Sequence, residues 1–114
     1  MLSTRLLWPQ GASVALVSRL LVQRRIIDVS KRLARAREEL AVADEQARAL
    51  ADEADDKRVR ALVSETPLAA KESQEARRHA DAMASARDSL AGQVRRLEAE
   101  LNELLDKLEV SPGA

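Results

Sequence analysis

Apolar and small residues recur at alternating spacings of three and four along most of this chain, which is the repeat of a coiled-coil helix. A first run extends from Ile26 to Ala54, and a second extends from Ala69 to Leu108, where only Ser73 and Arg87 are polar. The repeat predicts two long helices that each bury one stripe. The largest side chains of this predicted seam are Leu33, Leu40, Leu50, Met83, Leu90, Val94, Leu97, Leu101 and Leu104.

The first run meets a charged residue at Lys57, where an apolar residue would continue the repeat. We expect the seam to break there and to resume at Ala61, with Val59, Leu62 and Val63 marking a shift of phase. Alanine dominates the seam near this point, whereas leucine dominates farther away. Since leucine removes more apolar surface from water, most of the stability should come from the leucine-rich end.

The two runs are separated by Ser64, Glu65, Thr66 and Pro67, which predict a turn. Inside a helix, Pro67 would remove a hydrogen bond and clash with the preceding turn, at a cost of about 3 kcal/mol or more. At the first turn of a new helix, proline costs little, and the threonine before it is a favourable N-cap. We therefore expect the chain to reverse direction here.

The distribution of charge favours the same reversal. Residues 38–56 contain eight acidic side chains and one basic one, and a fold at the proline places this acidic block beside Arg77, Arg78 and Arg87. The same fold places the basic residues of segment 31–37 beside the acidic residues of segment 98–109. Such flanking charges select the orientation of coiled coils, although each exposed pair contributes only tenths of a kcal/mol. The sequence thus predicts an all-α, antiparallel two-helix coiled-coil hairpin.

Composition agrees with this fold class. The chain has 114 residues, 33% of them charged with no net charge, and it has one tryptophan but no phenylalanine or tyrosine. A core filled by aromatic side chains is therefore excluded, and the profile is typical of long helices. Because the chain has no cysteine, we expect no disulfide, and a reducing, cytoplasmic location fits.

Residues 1–28 differ from the rest, because they are apolar and arginine-rich and contain no acid before Asp28. Their longest uncharged stretch is too short for a membrane span and is interrupted by Pro9 and Gly11. Three interpretations stay open: a transit peptide or interfacial anchor, an extension upstream of a true start at Val29, or a partly helical tail. In each case we expect this segment to be less ordered than the hairpin.

The predicted boundaries follow from these signals. We expect residues 1–28 to be an extension, residues 29–110 to be the hairpin and residues 111–114 to be a disordered tail. Within the hairpin, helix one covers about 29–63, the turn 64–67, and helix two about 67–110. Arg87 lies at a seam position, where it can reach out to solvent, pair with Asp44 or Glu45, or fix the register of the two helices. We favour the register role.

The sequence argues against catalysis and against a resident cofactor or metal. Its three glycines are isolated, so no phosphate-binding loop is predicted. His79 is the only histidine, and a zinc site needs more nitrogen or sulfur ligands than it can supply. The acidic cluster of residues 52–56 lies on a solvated helix face, whereas hard cations need converging oxygens. We expect no enzyme and no small-molecule substrate.

A basic stripe provides the main alternative to a purely structural role. Such stripes attract nucleic-acid phosphate and anionic lipid. The aromatic side chains on which single-stranded nucleic acids stack are absent, and neighbouring acidic segments would neutralise the stripe. Nucleic acid or ribosome binding is therefore an alternative that we do not favour. The stripe consists of Arg24, Arg25, Lys31, Arg32, Arg35 and Arg37.

Residues 51–56 (ADEADD), 60–69 (RALVSETPLA) and 75–81 (EARRHAD) carry a resemblance to a known group. They resemble short uncharacterised coiled-coil proteins of high-GC actinobacteria over roughly residues 30–108. The resemblance implies a cytoplasmic setting and no activity, and it leaves residues 1–28 outside. In architecture the hairpin is also similar to the coiled-coil arms of prefoldins, seryl-tRNA synthetases and transcript-cleavage factors. The last group carries acids at the very tip, where this chain has only Glu65.

These observations predict a soluble, non-enzymatic coiled-coil module that acts as an interaction or scaffold protein. A two-helix hairpin buries little surface, so we expect it to associate with itself, as a dimer or tetramer, or with another protein. Two hairpins can form a four-helix bundle that covers a second apolar strip. A further alternative is a membrane-surface protein that contacts lipid only through residues 1–28. The second strip consists of Leu62, Ala84, Ala91, Leu105 and Val110.

Overall fold

The computed structural model describes residues 10–110, and the surroundings of the side chains from 14 to 109. Helix α1 is Gln10–Ser64, with 55 residues, and helix α2 is Pro67–Val110, with 44 residues. Within residues 10–110, only Glu65 and Thr66 lie outside a helix. The predicted fold class, an all-α helical hairpin, is confirmed.

The contacts divide the chain into two compact units. The hairpin unit is Ala34–Arg95, and it contains the turn; the terminal unit contains residues 10–33 of α1 and 96–110 of α2 among those described. In the terminal unit, the buried side chains are Val29, Leu33, Leu97 and Leu104. In the hairpin unit they are Ala36, Ala43, Ala47, Ala54, Ala80 and Val94, five of which are alanines.

Partial burial follows the predicted spacing without interruption on both helices. The seam residues Leu40, Leu50, Met83, Leu90 and Leu101 are half-buried between the fully buried positions. These alternating spacings of three and four keep one stripe of each helix turned toward the other, because an α-helix completes two turns in about seven residues. Each unit is therefore held by a single narrow stripe.

The predicted break at Lys57 is wrong. Lys57 and Ala61 are half-buried and continue the seam in phase, whereas Val59, Leu62 and Val63 are exposed. The aliphatic part of a lysine side chain can pack while its ammonium group remains in water. Here the Lys57 ammonium lies 3.4 Å from the carboxylate of Glu53.

The expectation that helix one begins near residue 29 is also wrong, because α1 already begins at Gln10. Residues 10–28 are therefore helical rather than poorly ordered, as in the interpretation of this segment as a helical tail. Val22 and Ile26 are half-buried and extend the seam upstream of Val29. Arg25 also donates hydrogen bonds through Nε and Nη2 to Glu100 of α2. Residues 1–9, and the tail predicted at 111–114, lie outside the described part of the chain.

Candidate interaction site

The turn between the helices consists of only two residues. Glu65 has a φ of 53°, which is the left-handed conformation that commonly ends a helix, and its N–H donates to the carbonyl of Ala61 at 3.1 Å. Thr66 then caps α2, because its Oγ1 accepts a hydrogen bond from the N–H of Ala69 at 3.1 Å. Of the four predicted turn residues, Ser64 instead ends α1 and Pro67 begins α2.

Four large aliphatic side chains surround this turn, and all of them are exposed. Val59, Leu62 and Val63 are 52%, 67% and 80% exposed on the last turns of α1, and Leu68 is 66% exposed on the first turn of α2. The three residues of α1 are three and four positions apart, so they share one face of the helix. We call this group the tip patch. The heptad pattern predicts a phase shift at three of these residues, an interpretation that misses the surface they form.

A second apolar surface of the hairpin unit is a shallow groove of about 480 Å³. Val42, which is 54% exposed, lies in it beside Met83 and Leu90 of α2. Glu38 and Glu39 line the same groove and give it an acidic margin. Two of the predicted seam residues, Met83 and Leu90, thus remain reachable from solvent.

The charged side chains of the hairpin unit contact each other mainly along single helices. Arg48 pairs with Asp44 at 3.0 Å and Arg77 with Asp81 at 3.5 Å, in each case four residues apart. Arg87 is half-buried and pairs with its neighbour Asp88 at 3.1 Å, so the alternative pairing with Asp44 or Glu45 is not formed. Its proposed role in fixing register stays a prediction.

The acidic block lies beside one of the three arginines of α2 that the charge pattern predicts, Arg77. Asp55 and Arg77 line one groove of the hairpin unit, of about 480 Å³. Glu53 lines another, of about 390 Å³, together with His79 and two glutamates of α2. Among the described residues, no three acidic or histidine side chains are grouped closely enough to hold a metal ion.

The predicted basic stripe is divided between the two units, so the structure does not describe it as one site. Arg24, Arg25, Lys31 and Arg32 belong to the terminal unit, and Arg35 and Arg37 belong to the hairpin unit. All six are exposed. In the terminal unit, Asp28 lies 3.3 Å from Arg25 and 4.0 Å from Arg32, and Glu100 neutralises Arg25 further.

Residues 14–27 of α1 include six large aliphatic side chains that are exposed. They share the side of the helix that points away from the seam, and they alternate with arginines rather than with acids. We call this group the N-terminal stripe. It consists of Val14, Leu16, Val17, Leu20, Leu21 and Ile27, each between 54% and 65% exposed.

A scan of protein-family models, a search of curated proteins and a search of solved structures each find no match to this chain. None of the helices in residues 10–110 has a stretch that is long and apolar enough to cross a membrane. Interpretation of the surfaces therefore depends on their own chemistry.

Proposed function

We propose that this chain is a non-enzymatic coiled-coil interaction module that associates with itself through the exposed apolar surface of its hairpin unit. The observation that carries the proposal is the size of the side chains inside and outside that unit. Five of its six buried hydrophobic residues are alanines, whereas its large hydrophobic residues that are exposed are valines and leucines. A monomer of this kind leaves these large aliphatic side chains in water.

Self-association would bury the exposed valines and leucines. A fully buried valine or leucine stabilises a structure by about 1.5–3 kcal/mol, and a methyl side chain by much less. Covering Leu62, Val63 and Leu68 of the tip patch with a second hairpin therefore gains more than burying three alanines does. Helices joined by short turns commonly bury exposed apolar surfaces by forming four-helix bundles.

The second apolar strip predicted from the sequence is only partly available for such a bundle. Leu62 is 67% exposed and Leu105 is 43% exposed. Ala84 and Ala91 are half-buried and contribute little surface, and the side chain of Val110 lies outside the described part. The tip patch is thus the better candidate for the contact between copies.

Sedimentation equilibrium of the full chain tests the proposal. We expect a dimer or tetramer, with dissociation shifted to about tenfold higher concentration or more in the double variant Leu62→Gln and Leu68→Gln, because two leucines leave the contact. Glutamine has nearly the helix propensity of leucine, so the helices should persist. The matched control is Leu16→Gln with Leu20→Gln, which removes two equally exposed leucines of the terminal unit. A wild-type chain that remains monomeric at high concentration refutes the proposal.

Nucleic acid is the second candidate partner. It is favoured by Arg24, Lys31 and Arg35, which are exposed and have no ion pair with any described residue. Phosphate binding by these side chains should weaken steeply as salt rises and should be lost on reversing Lys31 and Arg35 to glutamate. Binding that ignores salt, or no binding to RNA or DNA, excludes this candidate.

We further propose a cytoplasmic setting. It is supported by a chain without cysteine, which has no need of an oxidising compartment. Fractionation of cells that express the full chain tests it, and recovery only from a secreted or lumenal fraction would contradict it.

A further inference from the structure

The N-terminal stripe has the geometry of a helix that lies on a membrane surface. Val17, Leu20 and Leu21 are spaced by three and four residues, and Leu16 and Ile27 flank them on the same side. At about 100° per residue, the six aliphatic side chains of the stripe cover an arc of about 160°. The seam residues Val22, Ile26 and Val29 lie on the opposite side of α1, where burial rises toward α2.

The stripe also extends beyond the part of α1 that α2 covers. In the terminal unit, the first half-buried residue of α1 is Arg19, and the last half-buried residue of α2 is Leu108. Residues 14–18 of α1 are all exposed, whichever side of the helix they lie on. Contacts between Arg25 and Glu100 fix how far α2 reaches along α1. Residues 14–18 of α1 are therefore both mainly apolar and uncovered by the chain's own second helix.

Charge identifies the partner that fits this surface. The first 27 residues contain four arginines and no acid. Arg24 lies within the aliphatic arc and has no ion pair with any described residue. Arg25 lies at one edge of the arc, where Asp28 and Glu100 pair with it, and the half-buried Arg19 lies on the seam side of α1. An exposed arginine on an apolar stripe, as Arg24 is here, can extend its guanidinium group to the phosphates of a bilayer while the aliphatic side chains enter the boundary between head groups and acyl chains.

We infer that residues 14–27 bind the surface of an anionic lipid bilayer, with α1 lying in the plane of the interface. A second copy of this chain is a poorer occupant, because pairing two stripes brings arginines of like charge together. An anionic leaflet offers the opposite charge, and each basic residue near it adds attraction. This inference does not depend on self-association, which uses the tip patch of the other unit.

Vesicle flotation of the full chain tests the inference. We compare vesicles of phosphatidylcholine alone with vesicles that also contain phosphatidylserine. The chain should float with the anionic vesicles and much less with the neutral ones, and binding should fall as salt rises. Leu16→Gln with Leu20→Gln should reduce partitioning by about tenfold or more, since two leucines leave the interface. Arg24→Gln should reduce binding to anionic vesicles only.

The matched control is the tip variant Leu62→Gln with Leu68→Gln, which should float like the wild type. Circular dichroism confirms that each variant is still helical, because all four leucines are exposed in the fold. Three results would each overturn the inference: no flotation with either vesicle, flotation that the Leu16 and Leu20 changes leave unaltered, or loss of self-association instead of flotation in that variant. The last result would assign the stripe to a contact between copies.

Discussion

Glu65 offers the most direct test of how the two helices are joined. It is the only residue other than glycine with a positive φ within the described chain, at 53°. The left-handed conformation costs a residue with a Cβ atom about 1–2 kcal/mol. Glycine avoids this cost but loses about 0.5–1 kcal/mol more conformational entropy on folding. Glu65→Gly should therefore stabilise the fold by about 0.5–1 kcal/mol, the difference between the two effects.

Thermal unfolding followed by circular dichroism measures this difference. One kcal/mol shifts Tm by roughly 4–8 °C in a domain of 60–100 residues, so a stabilisation of about 0.5–1 kcal/mol should raise Tm by about 2–8 °C. All variants must be compared at one protein concentration, because self-association makes Tm depend on concentration.

Two further substitutions separate the explanations. Glu65→Ala removes the carboxylate but keeps the Cβ atom, so Tm should not rise. Ser64→Gly changes the last residue of α1, whose hydroxyl donates to the carbonyl of Arg60 at 2.7 Å, and should lower stability by about 0.5–1 kcal/mol. Equal Tm values for Glu65→Gly and Glu65→Ala would refute the role of the left-handed conformation.

Three other outcomes can be measured in the same way. Thr66→Ala should lower the stability of the fold by about 1 kcal/mol because it removes the cap of α2, while Thr66→Ser should retain most of the stability that the cap provides. Equal losses in the two variants would contradict the capping role. A double-mutant cycle between Arg25 and Glu100 should give a coupling of about 0.5–1 kcal/mol that shrinks at high salt, and zero coupling at low salt would contradict the pair. Leu97→Ala should cost about 2–5 kcal/mol because Leu97 is 4% exposed. Leu105→Ala, at 43% exposure, should cost much less, and similar losses would mean that the seam is misplaced.

The spacing of small and apolar residues was enough to predict the hairpin and its turn. A heptad pattern predicts which stripe of each helix is buried, and a proline after a good N-cap indicates where a helix starts. Both signals are local, so the sequence alone displays them. The structure accordingly buries Leu33, Val94, Leu97 and Leu104 within the predicted stripe.

The extension of the seam upstream of Val29 could not be predicted because it depends on contacts between distant residues. Nothing in the sequence states that Arg25 reaches Glu100, 75 residues away. Lys57 was misinterpreted for a different reason, since its charge suggested a break that its aliphatic stem does not require. The tip patch was missed because exposure of Leu62 or Val63 depends on the phase of the seam around Lys57. All three predictions required knowledge of how the two helices pack, which the spacing of apolar residues alone does not provide.

In the hairpin unit, the groups that stabilise the turn are different from the side chains that surround it. The left-handed residue and the threonine cap use backbone and hydroxyl groups, and the seam beside them uses methyl groups. The four aliphatic side chains around the turn take no part in either. Substitution at these four positions should therefore destabilise the fold of a single chain very little, so a new binding specificity can be selected there while the scaffold stays the same.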